Sequence, residues 1–238
     1  MADPSSHAAW GTGPGVITPD GCAVDLYAQL PGGRDAEIVA AALRPAAQVL
    51  DLGAGTGRIT HELAQRGHSV VAVDESPEML AHIRDATTIQ SPIADLDLPQ
   101  QFDAVLLASH LVNTPSQQNR LNLLRACRRH CADDGAVLLQ RHTRAWVESV
   151  QPSRHESEGI IVELQDVCRG QDAKLSATVR YTIGTRVWTH HFTVQGLDDT
   201  ALAAALETAG LRMGGVLSDD GAWVWAVPAA AHTAGKTT

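Results

Sequence analysis

Three alternating glycines, Gly53, Gly55 and Gly57, follow the apolar run Val49-Leu50-Asp51-Leu52, and a second apolar run, Val70-Val71-Ala72-Val73, ends in Asp74. Glycine adopts backbone dihedrals closed to other residues. Without a Cβ it also lets a ligand lie directly on the backbone where a strand turns into a helix. A carboxylate at the tip of the next strand can accept hydrogen bonds from both hydroxyls of a ribose. The pair reads as a nucleoside-cofactor site, and the spacing narrows the choice of nucleoside. A dinucleotide site requires G-x-G-x-x-G, because its third glycine lets the helix pack close beneath a pyrophosphate. Counting from Gly53 that position is Arg58, and counting from Gly55 it is Thr60. An NAD(P)-dependent oxidoreductase on a similar sheet is the alternative that these two residues disfavour.

The residues instead spell acidic-x-G-x-G-x-G, with Asp51 leading, which resembles motif I of the class I S-adenosylmethionine-dependent methyltransferases. Ser91-Pro92-Ile93-Ala94-Asp95-Leu96 resembles the third motif of that family, Phe102 to Ala108 its fourth strand, and Asp134 to Leu139 its turn and fifth strand. The similarity covers residues 35–140 and resumes over 197–227. Elsewhere there is a general likeness to small methyltransferases of secondary metabolism. The resemblance implies S-adenosylmethionine as cofactor. Asp51 would lie near the methionine amino end, Asp74 on the ribose diol and Asp95 facing the adenine amino group. The implied cofactor set is Tyr27, Asp51, Gly53, Ala54, Gly55, Gly57, Asp74, Glu75, Met79, Ala94, Asp95, Leu96 and Ser109. The implied activity is methyl transfer to an O, N or C nucleophile of a small metabolite in natural-product biosynthesis. A noncatalytic protein that retains the cofactor pocket stays open, because such transferases need no universal catalytic residue.

A sulfonium methyl is already electrophilic, so transfer needs in-line positioning at about 3 to 3.5 Å more than covalent catalysis. A hydroxyl or acidic carbon benefits from a base, whereas an amine must arrive neutral. Ligands of open α/β sheets bind beyond the carboxyl ends of the strands. The candidates are therefore Ser109, His110 and Asn113 after the fourth strand, and Arg141, His142 and Trp146 after the fifth. His110 and His142 are the expected catalytic residues; each could equally be a histidine bonded to backbone or packed on a neighbouring helix. His190 and His191 point to opposite faces if extended, so at most one should face an acceptor. Tyr27 and Trp10 could close over the cofactor, and Trp146, Trp188 and Phe192 could line an apolar acceptor pocket. Trp223 and Trp225 read as core. No compact carboxylate pattern supports a metal, and none is expected. Cys127 and Cys131, spaced i, i+4, read as buried apolar positions, and no disulfide is expected.

Alternating elements must position these groups. Apolar strands over 48–52, 69–74, 88–90 and 102–108 alternate with helices over 57–66, 77–84 and 117–131. Ser76 should cap the second of these helices, with Pro77 at its first position. Asp35 should cap an earlier helix through Leu43. The pattern predicts an α/β, Rossmann-like doubly wound sheet with an antiparallel C-terminal hairpin over 211–217 and 222–227. Strands over 159–166, 174–183 and 186–194 predict an antiparallel β insertion after the fifth strand. The expected organisation is an N-terminal segment (1–34) forming part of a lid, a cofactor-binding core (35–144 and 196–228), a β insertion (145–195) as acceptor lid, and a disordered tail (229–238). The chain of 238 residues is 44% hydrophobic, enough for a full core. Its net charge of −9 disfavours a nucleic-acid partner. Without a bilayer-spanning run or signal pattern, the expected location is the cytoplasm. A small-molecule acceptor is the expected partner, and the insertion leaves room for a homodimer.

Overall fold

The computed structural model describes residues 9–229. Residues 1–8 of the expected N-terminal lid segment and nearly all of the expected disordered tail lie outside that range.

A seven-stranded sheet carries the fold. It comprises β2 (Gln48–Leu52), β3 (Ser69–Asp74), β4 (Thr87–Gln90), β5 (Phe102–Leu107), β6 (Cys131–Gln140), β11 (Leu211–Val216) and β12 (Trp223–Pro228), in the order β11-β12-β6-β5-β2-β3-β4. The pairs among β2 to β6 are parallel, and β12 and β11 add on as an antiparallel hairpin. This is the expected Rossmann-like sheet. Period-two alternation splits its side chains between two cores. Leu50, Leu52, Val105 and Leu107 pack with α5 (Gln117–His130) and α7 (Asp199–Thr208) on one face. Val49, Ala104, Leu106 and Leu138 pack with α2 (Gly33–Ala42), α3 (Arg58–Gln65) and Trp223 on the other. Cys127 and Cys131 are buried in the first core.

Local signals set most boundaries. Ser76 caps α4 (Pro77–Leu80), its hydroxyl accepting from the Met79 amide at 3.1 Å, though this helix ends earlier than its apolar pattern predicts. Ser116 caps α5 and Asp198 caps α7 in the same way. The exception is α2. It starts at Gly33, so Asp35 lies inside its first turn and is not the cap. The Asp35 carboxylate instead accepts from Trp223 Nε1 at 2.9 Å and Gln140 Nε2 at 3.0 Å. A buried indole N–H needs an acceptor, and Asp35 is in reach of it.

The second sheet is antiparallel throughout, in the order β1-β10-β9-β8-β7. It comprises β1 (Trp10–Thr12), β7 (Ser153–Ser157), β8 (Ile160–Arg169), β9 (Lys174–Ile183) and β10 (Arg186–Gln195). Two strands were not expected. β7 is polar and exposed along its whole length, and β1 crosses from the N-terminal segment to pair with β10, placing Trp10 opposite His191 and Gly11 opposite His190. A further helix, α6 (Arg144–Ser149), begins at Thr143, whose hydroxyl caps it, and links the two sheets. Trp188 is fully buried against Ala23 and against Leu26 of the short helix α1 (Val24–Tyr27), and its Nε1 donates to the Pro14 carbonyl at 2.9 Å.

Candidate functional site

The strand order reverses between β2 and its neighbours β3 and β5, which opens a crevice at the carboxyl ends of these strands. A cavity of about 480 Å³ fills that crevice, within the range of small-molecule sites. Its floor is the turn after β2. The Gly53 and Ala54 amides donate to the Val73 carbonyl at 2.8 and 2.9 Å, and Gly53, Gly55 and Gly57 all take positive φ. A Cβ built on Gly55 would meet only Met79 Sδ at 4.0 Å, so this backbone faces open space. On Gly57 it would strike Ile83 and His61 at about 3 Å, away from the cavity.

Asp74 at the tip of β3 joins this floor to the next wall. Its Oδ2 accepts from the Gly55 amide at 2.9 Å and its Oδ1 from the Ser76 amide at 2.9 Å. The carboxylate thus fixes the glycine turn while lining the cavity, and each oxygen keeps a further lone pair for a ligand donor. Asp51 sits deeper, buried within β2, with its Oδ2 accepting from the Thr60 hydroxyl at 2.7 Å. Burial pushes its carboxyl up to about 6, against the opposing pull of the Thr60 hydrogen bond.

The opposite wall comes from the N-terminal segment and the second sheet: Thr18, Asp20, Cys22, Tyr27 and His190. Burial raises the Tyr27 phenol well above its ordinary value, and burial with the Asp20 charge pushes the Cys22 thiol up to about 12, so both stay protonated. The Nε2 of His190 lies 3.3 Å from the Asp20 carbonyl, and burial lowers the proton affinity of its ring. His191 faces the other side and stacks on Trp10 at 5.5 Å, so one of the adjacent pair reaches the cavity, as strand alternation requires. Arg58 stands at the start of α3, where its Nη1 donates to the Pro31 carbonyl at 3.0 Å and its Nη2 lies 3.9 Å from Asp35.

Tyr27, Gly53, Ala54, Gly55, Asp74, Glu75, Met79, Ala94 and Ser109 therefore meet around one cavity. Asp51 and Gly57 support its floor from outside. Asp95 is exposed at the end of the 3-10 turn Ile93–Asp95, and Leu96 is drawn into the core beneath α5, so neither lines it. Thr18, Asp20 and Cys22, as well as Asn119 and Asn122 of α5, line it without having been expected from sequence. Thr18 and Asp20 carry a readable local signal, a polar turn in which the Thr18 hydroxyl accepts from the Cys22 amide at 3.0 Å.

The two expected catalytic histidines go elsewhere. Ser109 and His110 are consecutive non-glycine residues in the left-handed region, with φ of 52° and 57°. That conformation costs roughly 1–2 kcal/mol per residue. It leaves Ser109 in the first cavity and turns His110 into a second one of about 260 Å³, between α2, α6 and the end of β6. There the His110 ring stacks on His142 at 3.6 Å, and His142 stacks on Trp146 at 3.8 Å. Burial pushes His110 down to about 4 and His142 to about 2, so both rings are neutral. Of the three aromatics expected in an acceptor pocket, Trp146 lines this cavity, whereas Trp188 is core and Phe192 packs beside Val194.

Two further candidates are fully engaged in structure. Asn113 donates from Nδ2 to the His142 carbonyl at 2.8 Å and the Gln195 carbonyl at 2.7 Å, and its Oδ1 accepts from the His142 amide at 2.7 Å. It clamps the ends of β6 and β10 together. Arg141 donates to the Gly221 carbonyl at 3.0 Å and pairs with Asp199.

Residues 49–135 match the family described as "Methyltransferase domain". An uncharacterized methyltransferase of Mycobacterium tuberculosis is 47% identical over 77 residues, 28% of this chain and 30% of that protein. The cypemycin N-terminal methyltransferase of a Streptomyces species is 35% identical over 98 residues, 38% of this chain and 40% of that protein. The chain thus spans well under half the length of these relatives. Among solved structures, the CcbJ methyltransferase of Streptomyces caelestis superposes with a TM-score of 0.71 at 21% identity, over 87% of this chain and 96% of that one. The sugar N-methyltransferase KedS8 of Streptoalloteichus superposes with a TM-score of 0.69 at 21% identity, over 96% and 99%. At these identities the likeness is one of fold, the Rossmann-like sheet that this chain shares with these methyltransferases.

Proposed function

We propose that this chain, which carries a methyltransferase domain on a class I fold, transfers the methyl group of S-adenosylmethionine to an O, N or C nucleophile of a small metabolite in natural-product biosynthesis. The observation that carries this reading is the Gly55 backbone. It is open toward the cavity and tied to the Asp74 carboxylate at 2.9 Å. A nucleoside can lie on that backbone and place its ribose hydroxyls on Asp74, and no phosphate cradle is required of Arg58 or Thr60. When bound, the cofactor supplies an activated methyl group. Gly53, Ala54 and Gly55 would support it from below, Met79, Glu75 and Ala94 would flank its base, and Ser109 would border its methionine end. Tyr27 and His190 close the cavity above and exclude water, with residues 145–195 serving as acceptor lid. Positioning is the main catalytic contribution of these residues, because His110, held neutral outside this cavity, is a weak base near neutrality.

Calorimetric titration with S-adenosylmethionine, S-adenosylhomocysteine and NADH tests the cofactor. Binding of the first two and not the third is expected, and tight NADH binding with neither of the others would overturn the reading. Turnover on a library of amine, phenol and amino-acid metabolites, followed by mass spectrometry of methylated products, separates an enzyme from a cofactor-binding protein without transfer.

A further inference from the structure

The second cavity is built around a buried ring nitrogen that lacks a well-formed hydrogen bond. His110 Nδ1 has none among the described residues, and the Arg141 backbone is the hydrogen-bonding group in reach of the ring. Tilting the ring to improve that contact would break its stack on His142, whose plane lies within 10° of its own. A neutral imidazole presents either a lone pair or an N–H at that nitrogen, and leaving either unmet in a buried site is unfavourable. The Asp35 and Asp220 carboxylates and the Arg34 guanidinium line the same space. The Oδ1 of Asp35 is occupied by Trp223 and Gln140, whereas its Oδ2 has only the Arg58 guanidinium at 3.9 Å. A group that can both donate and accept would satisfy Nδ1 in either tautomer, and its donor suits a carboxylate as well. Hydroxyls and neutral amines are such groups, and an ammonium suits the tautomer that keeps its lone pair at Nδ1.

We infer that the second cavity binds a hydroxyl- or amine-bearing small molecule through His110 Nδ1 and Asp35. On the proposed methyl transfer, on which this assignment rests, that molecule is the polar portion of the methyl acceptor. Its nucleophile then enters the first cavity past the Ser109–His110 backbone, since these neighbouring residues line the two cavities in turn.

The test uses the full chain labelled with 15N-histidine. The ring nitrogens are assigned with His110→Gln and His142→Gln and observed during titration with glycerol, n-butylamine and acetate, which carry hydroxyls only, an amine only, and neither. A saturable shift of the His110 ring nitrogens with glycerol, butylamine or both is expected, and the responding probe identifies the class. Asp35→Asn should weaken that response at least fivefold. No response to glycerol or butylamine, or an equal response to acetate, would overturn the site, and the wild-type resonances decide this even if a variant fails to fold. Calorimetry with S-adenosylhomocysteine on the same sample scores the proposed function separately. Cofactor binding without a His110 response removes the second site and leaves methyl transfer standing. A His110 response without cofactor binding supports the site and removes its assignment to the acceptor.

Discussion

The two cavities lie side by side at the carboxyl ends of one sheet, and they are built from opposite materials. The first is floored by backbone: three left-handed glycines, with the Gly55 and Ser76 amides held on the Asp74 carboxylate at 2.9 Å each. The second is walled by stacked rings, His110, His142 and Trp146, and keeps a ring nitrogen without a well-formed hydrogen bond. A backbone floor fixes the shape of a ligand that does not vary, because every such chain can present the same amides whatever its side chains. A side-chain wall can change residue by residue without disturbing the sheet. A constant cofactor on the first surface and a variable partner on the second would use this difference.

Gly55→Val should break the first cavity outright. Its branched side chain would enter the open space and would have to adopt φ near 56°, so S-adenosylhomocysteine affinity should fall by roughly 100-fold or more in calorimetry. A variant that is folded by circular dichroism and binds normally would remove the glycine turn from the site. Asp74→Ala removes an acceptor that serves the loop as well as the ligand. With two charged hydrogen bonds to the ribose worth about 1.5–3 kcal/mol each, affinity should drop roughly 10²- to 10⁴-fold, with a parallel loss of stability. Unchanged affinity in a folded Asp74→Ala protein would remove the carboxylate from the site and show that the glycine turn keeps its shape without it.

Asn113→Ala sharpens the comparison from between the cavities, because its amide clamps the chain on which His142 sits to the end of β10. Leaving two buried carbonyls without donors should lower unfolding free energy by about 2–3 kcal/mol in urea titrations. Cofactor affinity in the fraction that stays folded should change little, and a large loss would show that the cavities are mechanically coupled through this residue.

The last effects concern pH, and here the second cavity and the support beneath the first should respond with opposite signs. His110 falls in the fold from its ordinary 6.5 to about 4, so its stabilising contribution is full above 6.5 and is lost as pH falls toward 4. Asp51 rises from 3.8 to about 6, so its contribution is full below 3.8 and is lost as pH climbs to 6. His110→Phe, which keeps a stacking ring, should therefore gain on wild type as the solution is acidified. Asp51→Asn should gain as the solution is neutralised. Each trend should amount to about 2–3 kcal/mol by urea unfolding between about pH 4 and 7. Trends of the same sign in both variants would break the contrast.

What the sequence disclosed divides along similar lines. Motifs whose chemistry acts through backbone were legible. The alternating apolar runs, the glycine turn, Asp74 at a strand tip and the Ser76 cap all occur where spacing places them, because strand and helix periods fix them locally. The direction of His110 was not legible. It depends on two consecutive non-glycine residues taking a left-handed conformation, which no residue type at Ser109 announces. Asp35 has the composition of a cap, but an indole far along the chain claims its carboxylate, a tertiary contact that local propensity cannot contain. The wall formed by Thr18, Asp20 and Cys22 was missed for the same reason, since the pairing of β1 with β10 brings it to the cavity.

That pairing also orders events in time. Gly11 has no place until His190 exists to receive it, so this early strand cannot dock until synthesis has passed β10. At roughly 5–20 residues per second, synthesis leaves the β2-to-β6 half-sheet about 3 to 10 seconds to assemble first. Contacts of such large sequence separation form slowly even in the finished chain. Closure of the cavity by Thr18 to Tyr27 is thus a late folding step, and until it happens the edge of β10 that β1 covers is open to self-association.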